Sequence, residues 1–134
     1  MKKLSIILSL VIASFLFFTT SCGTSSSSSP AEISKKIPKY VEKGEVDALI
    51  AVLSTDGKEL SDEDKAKLTA MVQMGQEEIK GKDGIKSIEV IEEDIKETDG
   101  EAEIKMKIVY GNGEEDNVTY KFAMEDGKWK YLMK

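Results

Sequence analysis

The hydrophobic period of this chain changes at Ile85, and this change limits the folds that it can adopt. Before Ile85, apolar residues recur every three or four positions, as on one face of an α-helix, and after it they alternate, as on one face of a β-strand. The alternation predicts an antiparallel meander with one apolar face and one lysine-rich face exposed to water. We therefore expect an α+β fold, in which three N-terminal helices pack on one face of a four-stranded antiparallel sheet.

The first helix has a complete N-terminal signature. Ser29 can cap the helix, Pro30 suits its first position, and Glu32 lies three residues beyond the cap, as in a capping box. Pro38 removes a backbone donor and crowds the preceding turn. A kink or a helix restart is therefore expected near Ile37.

Two further helices are predicted between Gly44 and Gly84. The first of them is short, and its apolar residues are Val46, Leu49, Ile50 and Leu53. After a turn at Asp56-Gly57, Ser61 caps the next helix, with Asp64 at the matching position of the box. The apolar stripe predicted for that helix consists of Leu68, Met71, Val72 and Ile79.

Turn residues divide the second half of the chain into four strands. The first strand begins near Ile85 and is expected to contain a bulge before Ile95. Asp99-Gly100 and Asp126-Gly127 predict two-residue hairpins, and a longer turn is expected from Gly111 to Asp116. The inward-facing residues predicted for the last three strands are Ala102, Ile104, Met106, Ile108, Tyr110, Val118, Tyr120, Phe122, Met124, Trp129, Tyr131 and Met133.

The N-terminus predicts export and lipid attachment. Lys2 and Lys3 precede an apolar stretch from Leu4 to Phe18, which is shorter than the roughly 20 residues of a membrane-spanning helix. Small polar residues and then Cys22, the only cysteine, follow that stretch. We interpret residues 1–21 as a lipoprotein signal peptide, 22–29 as the lipidated cysteine with a serine-rich tether, and 30–134 as the folded domain. The alternative is an ordinary secreted protein with a free thiol.

These features predict a lipid-anchored protein of the bacterial cell envelope, on the periplasmic face or the cell surface. The chain has 25 acidic and 19 basic residues, all of the latter lysine, and a formal net charge of −6. That balance argues against a nucleic-acid partner. It also predicts repulsion from anionic lipid, so attachment is expected to depend on acyl chains, such as palmitate, on Cys22.

Several short segments resemble those of one group of proteins. They are Ser-Pro-Ala-Glu at 29–32, Lys-Gly-Glu-Val-Asp at 43–47, Leu-Ser-Asp-Glu-Asp at 60–64 and Met-Glu-Asp-Gly-Lys-Trp-Lys at 124–130. The pattern is similar to that of small bacterial lipoproteins with an uncharacterised lumazine-binding-like domain of the nuclear-transport-factor-2-like superfamily. The resemblance implies a curved sheet that the helices cap to form a cone open at one end. Many superfamily members bind small molecules there, and a few are isomerases or dehydratases.

The residue types restrict the chemistry that the domain can perform. Because the chain has no histidine, general acid–base catalysis would fall to carboxylates or tyrosines, and zinc sites built from histidine and cysteine are excluded. The resemblance implies that an isomerase would need an interior carboxylate, and none of the predicted inward-facing strand positions is Asp or Glu. The acidic runs at 92–94 and 114–116 lack the spacing of a calcium loop. We therefore expect no catalytic residues, no metal and no cofactor.

A set of methionines and aromatic residues is the candidate lining of an apolar pocket. Its members are Tyr40, Met71, Met74, Met106, Tyr110, Tyr120, Phe122, Met124, Trp129 and Tyr131. The sequence thus favours a non-enzymatic binding module for a small apolar ligand or an envelope protein partner. The alternatives are an isomerase-like pocket enzyme and a structural envelope protein in which these side chains only fill the core.

Overall fold

A computed structural model describes residues 28–133, which form three helices followed by a four-stranded sheet. The predicted signal peptide and Cys22 lie outside the described residues. The elements are α1 (Pro30–Lys43), α2 (Val46–Val52), α3 (Asp62–Gly81), β1 (Ile85–Lys96), β2 (Glu101–Tyr110), β3 (Glu115–Glu125) and β4 (Lys128–Leu132). The strands are antiparallel, in the order β1-β2-β3-β4. The predicted α+β architecture is confirmed, and no helix in this part of the chain is long and apolar enough to cross a membrane.

Helix α1 begins as its sequence predicts. The Ser29 side chain accepts a hydrogen bond from the Glu32 backbone N–H at 3.3 Å, and the Glu32 carboxylate accepts one from the Ser29 N–H at 3.1 Å. The helix continues without a break through the buried Pro38, so the restart expected near Ile37 does not occur. Gly44 ends the helix in the left-handed conformation, with φ of 70°.

Helix α3 packs on α1 with a narrower apolar stripe than predicted. Leu68, Val72 and Ile79 are buried, whereas Met71 is 55% exposed, so its assignment to the buried stripe is wrong. The Ser61 side chain accepts a hydrogen bond from the Asp64 N–H at 3.1 Å, which confirms the predicted cap. The stripe therefore covers only the side of α3 that contacts the rest of the core.

The sheet shows the predicted alternation most clearly in β2, where every second residue from Ala102 to Tyr110 is buried. A register shift between Val90 and Glu92 confirms the bulge predicted in β1. The two-residue turn at Asp126-Gly127 is also confirmed, since both residues have positive φ and Glu125 pairs with Lys128. The prediction of a two-residue hairpin at Asp99-Gly100 is wrong, because the turn spans residues 97–100.

Strand β3 begins at Glu115, within the segment expected to be a turn. This earlier start places Asp116 opposite Ile108, on the inward face of the sheet. The prediction that no carboxylate occupies an inward strand position is therefore wrong. At the other end of the sheet, Met124 and Met133 are each 40% exposed, so neither is a core residue.

The space beneath the helices is filled by side chains. Ile104 and Met106 have no exposed surface, Phe122 is 1% exposed, and all three belong to the main core together with residues of all three helices. A second, smaller core lies at the β2–β3 end of the sheet and contains Ile79, Ile108 and Tyr110. A ligand site in this part of the chain is therefore expected in a surface groove beside the main core.

Candidate functional site

The predicted pocket residues do not share one lining. Met106 and Phe122 are core residues, Tyr110 belongs to the second core, and Tyr40, Tyr120, Trp129 and Tyr131 pack against the main core. Met71, Met74 and Met124 are exposed by 55%, 71% and 40%, so these three methionines do not line an interior pocket. Seven of the ten predicted residues thus lie in a core or against one, and three are exposed.

The aromatic residues form a contiguous group on the concave face of the sheet. Tyr120 and Tyr131 meet edge to face, with ring centroids 5.3 Å apart and an interplanar angle of 87°. Phe122 lies against the same Tyr131 ring at 6.0 Å. Burial raises the pKa of both Tyr120 and Tyr131, so both phenols stay protonated further into the alkaline range than a free tyrosine.

One open groove of about 650 Å³, which we call the hairpin groove, is lined by both apolar and charged side chains. It lies between the end of α2, the loop before α3, the start of α3 and the β3–β4 hairpin. Ile50, Leu53 and Leu60 contribute its apolar part. The charged residues that line it are Lys58, Lys65, Lys128, Lys130, Glu59, Glu125 and Asp126.

Contacts between distant segments hold the two walls of the hairpin groove together. Leu53 forms a parallel bridge with Tyr131, and the Ser54 N–H donates to the Tyr131 carbonyl at 2.7 Å. The Ser54 hydroxyl donates to the Glu125 carboxylate at 2.7 Å. The Lys130 ammonium donates to the Ala51 carbonyl, also at 2.7 Å. The groove is therefore fixed by the fold, not by the loop alone.

The lysines on the rim of the hairpin groove carry charge that the described residues do not neutralise by salt bridges. Lys58, Lys65 and Lys128 take part in none of the ion pairs found among residues 28–133. Glu125 is engaged by Ser54, which leaves Glu59 and Asp126 as the other acidic groups of the rim. Apolar side chains beside ammonium groups without ion-pair partners suit a ligand with an apolar body and an anionic head.

A second polar cluster ties the end of α3 to the β2–β3 hairpin. The Asp116 carboxylate accepts hydrogen bonds from the Lys82 ammonium at 3.0 Å and from the Tyr110 hydroxyl at 2.9 Å. Lys82 also pairs with Glu78 at 3.0 Å and lies 4.5 Å from the Tyr110 ring centroid. Asp116 could have been found from the sequence, because it continues the alternation of Val118 and Tyr120.

The charges in this cluster keep their ordinary states at neutral pH. The Lys82 ammonium, followed by the Tyr110 hydroxyl, lowers the pKa of Asp116. The hydrogen bond to Asp116, more than that to Glu78, raises the pKa of Lys82. Burial, reinforced by the Asp116 carboxylate, raises the pKa of Tyr110 to about 12. Such shifts suit a structural ion pair, whereas a general acid or base needs a pKa near the working pH.

No part of residues 28–133 brings together three or more His, Cys, Asp or Glu side chains in a geometry that could hold a metal ion.

Comparison with known proteins identifies the fold. No protein-family model matches the chain, and comparison with curated proteins finds no match. Among solved structures, it is similar to a Campylobacter jejuni protein provisionally described as an NTF2-like transpeptidase. The TM-score is 0.70 and the sequence identity 23%, over 80% of this chain and 100% of that one. It is also similar to a designed NTF2 protein, with a TM-score of 0.51 and 18% identity over 78% of this chain and 93% of the other.

At these identities the similarity shows the fold alone. The chain therefore has an NTF2-like α+β fold, in which three helices precede a curved four-stranded antiparallel sheet. The fold that the resemblance implies is confirmed. The lumazine-binding-like and lipoprotein parts of that resemblance stay predictions.

Proposed function

We propose that the chain is a lipid-anchored binding module of the bacterial cell envelope, whose hairpin groove takes an amphipathic anion. The observation that carries this proposal is the groove itself, where apolar side chains lie beside lysines without ion-pair partners among the described residues. NTF2-like proteins provide a scaffold that suits ligand binding. Because the interior is filled at Met106 and Phe122, we assign binding to this groove and not to the space beneath the helices.

The proposed anchor rests on the N-terminal sequence. Cys22 follows an apolar stretch and small residues, as lipoprotein processing requires, and the fold begins only a short tether later with the Ser29 cap. A tether of this length spans roughly 15 Å if it behaves as a flexible chain. The domain would then lie close to the surface of the membrane that holds the acyl chains.

We propose a non-catalytic role. Acyl transfer of the kind named for the Campylobacter jejuni protein needs a nucleophile and a base that activates it, and histidine is absent from this chain. An isomerase-like mechanism needs a free carboxylate, and the inward-facing Asp116 is already bound by Lys82 and Tyr110. The hydrogen bonds from Lys82 and Tyr110 favour a structural role for Asp116 over a role in proton transfer.

Ligand binding is tested with dodecanoate as the probe and dodecanol as its neutral counterpart. We expect the mature chain to bind dodecanoate more tightly in calorimetric titration, because only the carboxylate can pair with the groove lysines. Lys65→Gln should weaken dodecanoate binding about two- to fivefold, the effect of losing one exposed charge pair. Lys67→Gln is the matched control, since Lys67 lies on the same helix but pairs with Glu63 at 2.7 Å outside the groove.

The outcomes separate the parts of the proposal. Equal affinities for dodecanoate and dodecanol, or equal effects of the two lysine substitutions, would contradict the assignment of the hairpin groove. Lipid attachment is tested separately by the mass of the protein purified from bacterial membranes, with Cys22→Ala as the control. An unmodified Cys22 in that protein would rule out the anchor.

A further inference from the structure

The outer face of α1 carries a continuous strip of lysines. Successive residues of a helix are rotated by about 100°, so these lysines lie within an arc of about 100° on the side opposite Ile33 and Ile37. All of them are exposed, whereas those two isoleucines are 5% and 4% exposed. We call this surface the lysine face; it consists of Lys35, Lys36, Lys39 and Lys43.

Neighbouring carboxylates offset only part of the charge of the lysine face. None of its lysines takes part in an ion pair with another residue of the range 28–133. Glu32 lies within the same arc, where its carboxylate accepts the Ser29 N–H bond, so four ammonium groups stand against one carboxylate on this face. Glu42 lies at the border of the face and accepts the Ile85 N–H at 3.0 Å. A net positive surface thus exists on a chain whose formal charge is −6.

The lysine face is also the helical surface nearest to the lipid anchor in the sequence. The lysine face begins at Lys35, in the second turn of a helix about 21 Å long that starts at Pro30. Lysine is a residue that favours a membrane–water interface.

We propose that the lysine face docks on anionic phospholipid headgroups of the membrane that holds Cys22. This inference rests on the proposed lipid anchor and adds an orientation to it. The net charge of the chain predicts repulsion from such a surface, but that expectation treats the charge as evenly distributed. The fold instead gathers lysines on α1 and places acidic residues such as Asp62, Glu63 and Asp64 on another helix. An acyl anchor together with a polybasic surface binds membranes more firmly than one chain alone.

The experiment compares vesicles of phosphatidylcholine alone with vesicles that also contain phosphatidylglycerol. The lipidated chain is bound to each, its lysines are acetylated briefly, and the extent of acetylation is measured by mass spectrometry. One lysine near an anionic surface gains about 1 kcal/mol, or about fivefold in an equilibrium. We therefore expect several-fold slower acetylation of the lysine face on the anionic vesicles, and recovery at high salt. Lys105 and Lys121, on the outer face of the sheet, should be acetylated equally on both.

A pair of charge variants tests the same contact. The double substitution Lys35→Gln and Lys39→Gln should abolish most of the protection of Lys43 on anionic vesicles. The control, Lys67→Gln with Lys80→Gln, removes the same charge from α3 and should leave that protection unchanged.

The possible outcomes distinguish failure of the docking proposal from failure of the lipid anchor on which it rests. If the protein stays on both kinds of vesicle but its lysine face is acetylated equally, docking on lipid is wrong and an acidic protein partner becomes the better occupant. If the protein washes off both kinds of vesicle, the lipid anchor is wrong and the docking proposal fails with it. If the α3 variant removes the protection as fully as the α1 variant, the effect depends on total charge and the lysine face is not the contact.

Discussion

Tyr110 shows how one inward-facing position can serve both the core and a charged cluster. Its ring packs with Ile79 and Ile108, while its hydroxyl reaches Asp116 at the border of the sheet. The alternation of β2 predicts the buried ring. It does not predict the hydrogen bond, because the partner comes from a segment expected to be a turn.

The pKa of Tyr110 leads to a prediction about alkaline stability. The folded state raises this pKa from 10.0 to about 12, so the neutral phenol is favoured in the fold. The corresponding stabilisation is complete below about pH 10 and is lost as the pH rises towards 12, because the unfolded chain releases its proton first. Urea unfolding midpoints measured across this range should fall less steeply for Tyr110→Phe than for the wild type.

The same variant has a second expected effect at neutral pH. Tyr110→Phe keeps the ring and removes the hydrogen bond to Asp116, which should lower the free energy of unfolding by about 1 kcal/mol. An alkaline decline as steep as that of the wild type would contradict the role assigned to the Tyr110 proton. The raised pKa values of Tyr120, Tyr131 and Lys82 act in the same direction, so part of the decline should remain.

At the scale of elements, the close approach of α1 and α3 depends on a glycine. A Cβ atom at Gly75 would lie 2.7 Å from a γ-methyl group of Val41, closer than carbon atoms approach in proteins. Gly75→Ala should therefore lower the free energy of unfolding by about 1–3 kcal/mol, the usual effect of overpacking, although alanine favours the helix itself. Chemical denaturation measures this change.

A double-mutant cycle identifies the cause of that loss. In the background of Val41→Ala the clash is absent, so Gly75→Ala should lower the free energy of unfolding much less than it does in the wild type. Gly81→Ala is a control on the same helix, since nothing lies within 4 Å of the position of its Cβ atom. If the effects of the substitutions at 41 and 75 on the free energy of unfolding are additive, the close contact between α1 and α3 is not the cause of the loss.

The elements that the sequence predicts well are those whose signals are local. The Ser29 and Ser61 caps depend on residues three positions away, and both are confirmed. The two Asp-Gly pairs show the limit of such signals. Asp126-Gly127 forms the tight turn, whereas at residues 97–100 the pairing of Lys96 with Glu101 leaves a longer turn. Register across two strands decides between these outcomes, and a dipeptide does not contain that information.

At the scale of the whole molecule, local sequence patterns do not predict the candidate site. The hairpin groove joins residues 50–65 to residues 125–130, and the Leu53–Tyr131 bridge that connects them has no sequence signature. Seven of the ten candidate pocket residues lie in or against a core, whereas Met71, Met74 and Met124 are exposed. Whether such residues enclose a pocket or fill it depends on packing, as the burial of Met106 and the exposure of Met74 show.

The free edge of the sheet is the second feature that belongs to the whole molecule. Among the described strands β1 has a neighbour on one side only, and its second half, from Ile91 to Lys96, is exposed. Ile91 and Ile95 are 51% and 39% exposed, and Glu92, Glu93 and Asp94 lie between them. An exposed apolar edge strand pairs readily with another chain, and charged residues at the edge prevent this. We infer that the acidic run keeps two copies from joining through β1.

This inference predicts the effect of removing the charges. Glu93→Val with Asp94→Val should leave Glu92 as the only charge between Ile91 and Ile95, and sedimentation velocity should then show dimers or larger species at concentrations where the wild type is monomeric. Glu101→Val with Glu103→Val makes the same chemical change on β2, whose two edges are already paired, so this control should stay monomeric. Association of both variants would point to lost net charge as the cause. A monomeric β1 variant would show that the twist and bulge of the strand are sufficient to protect the edge.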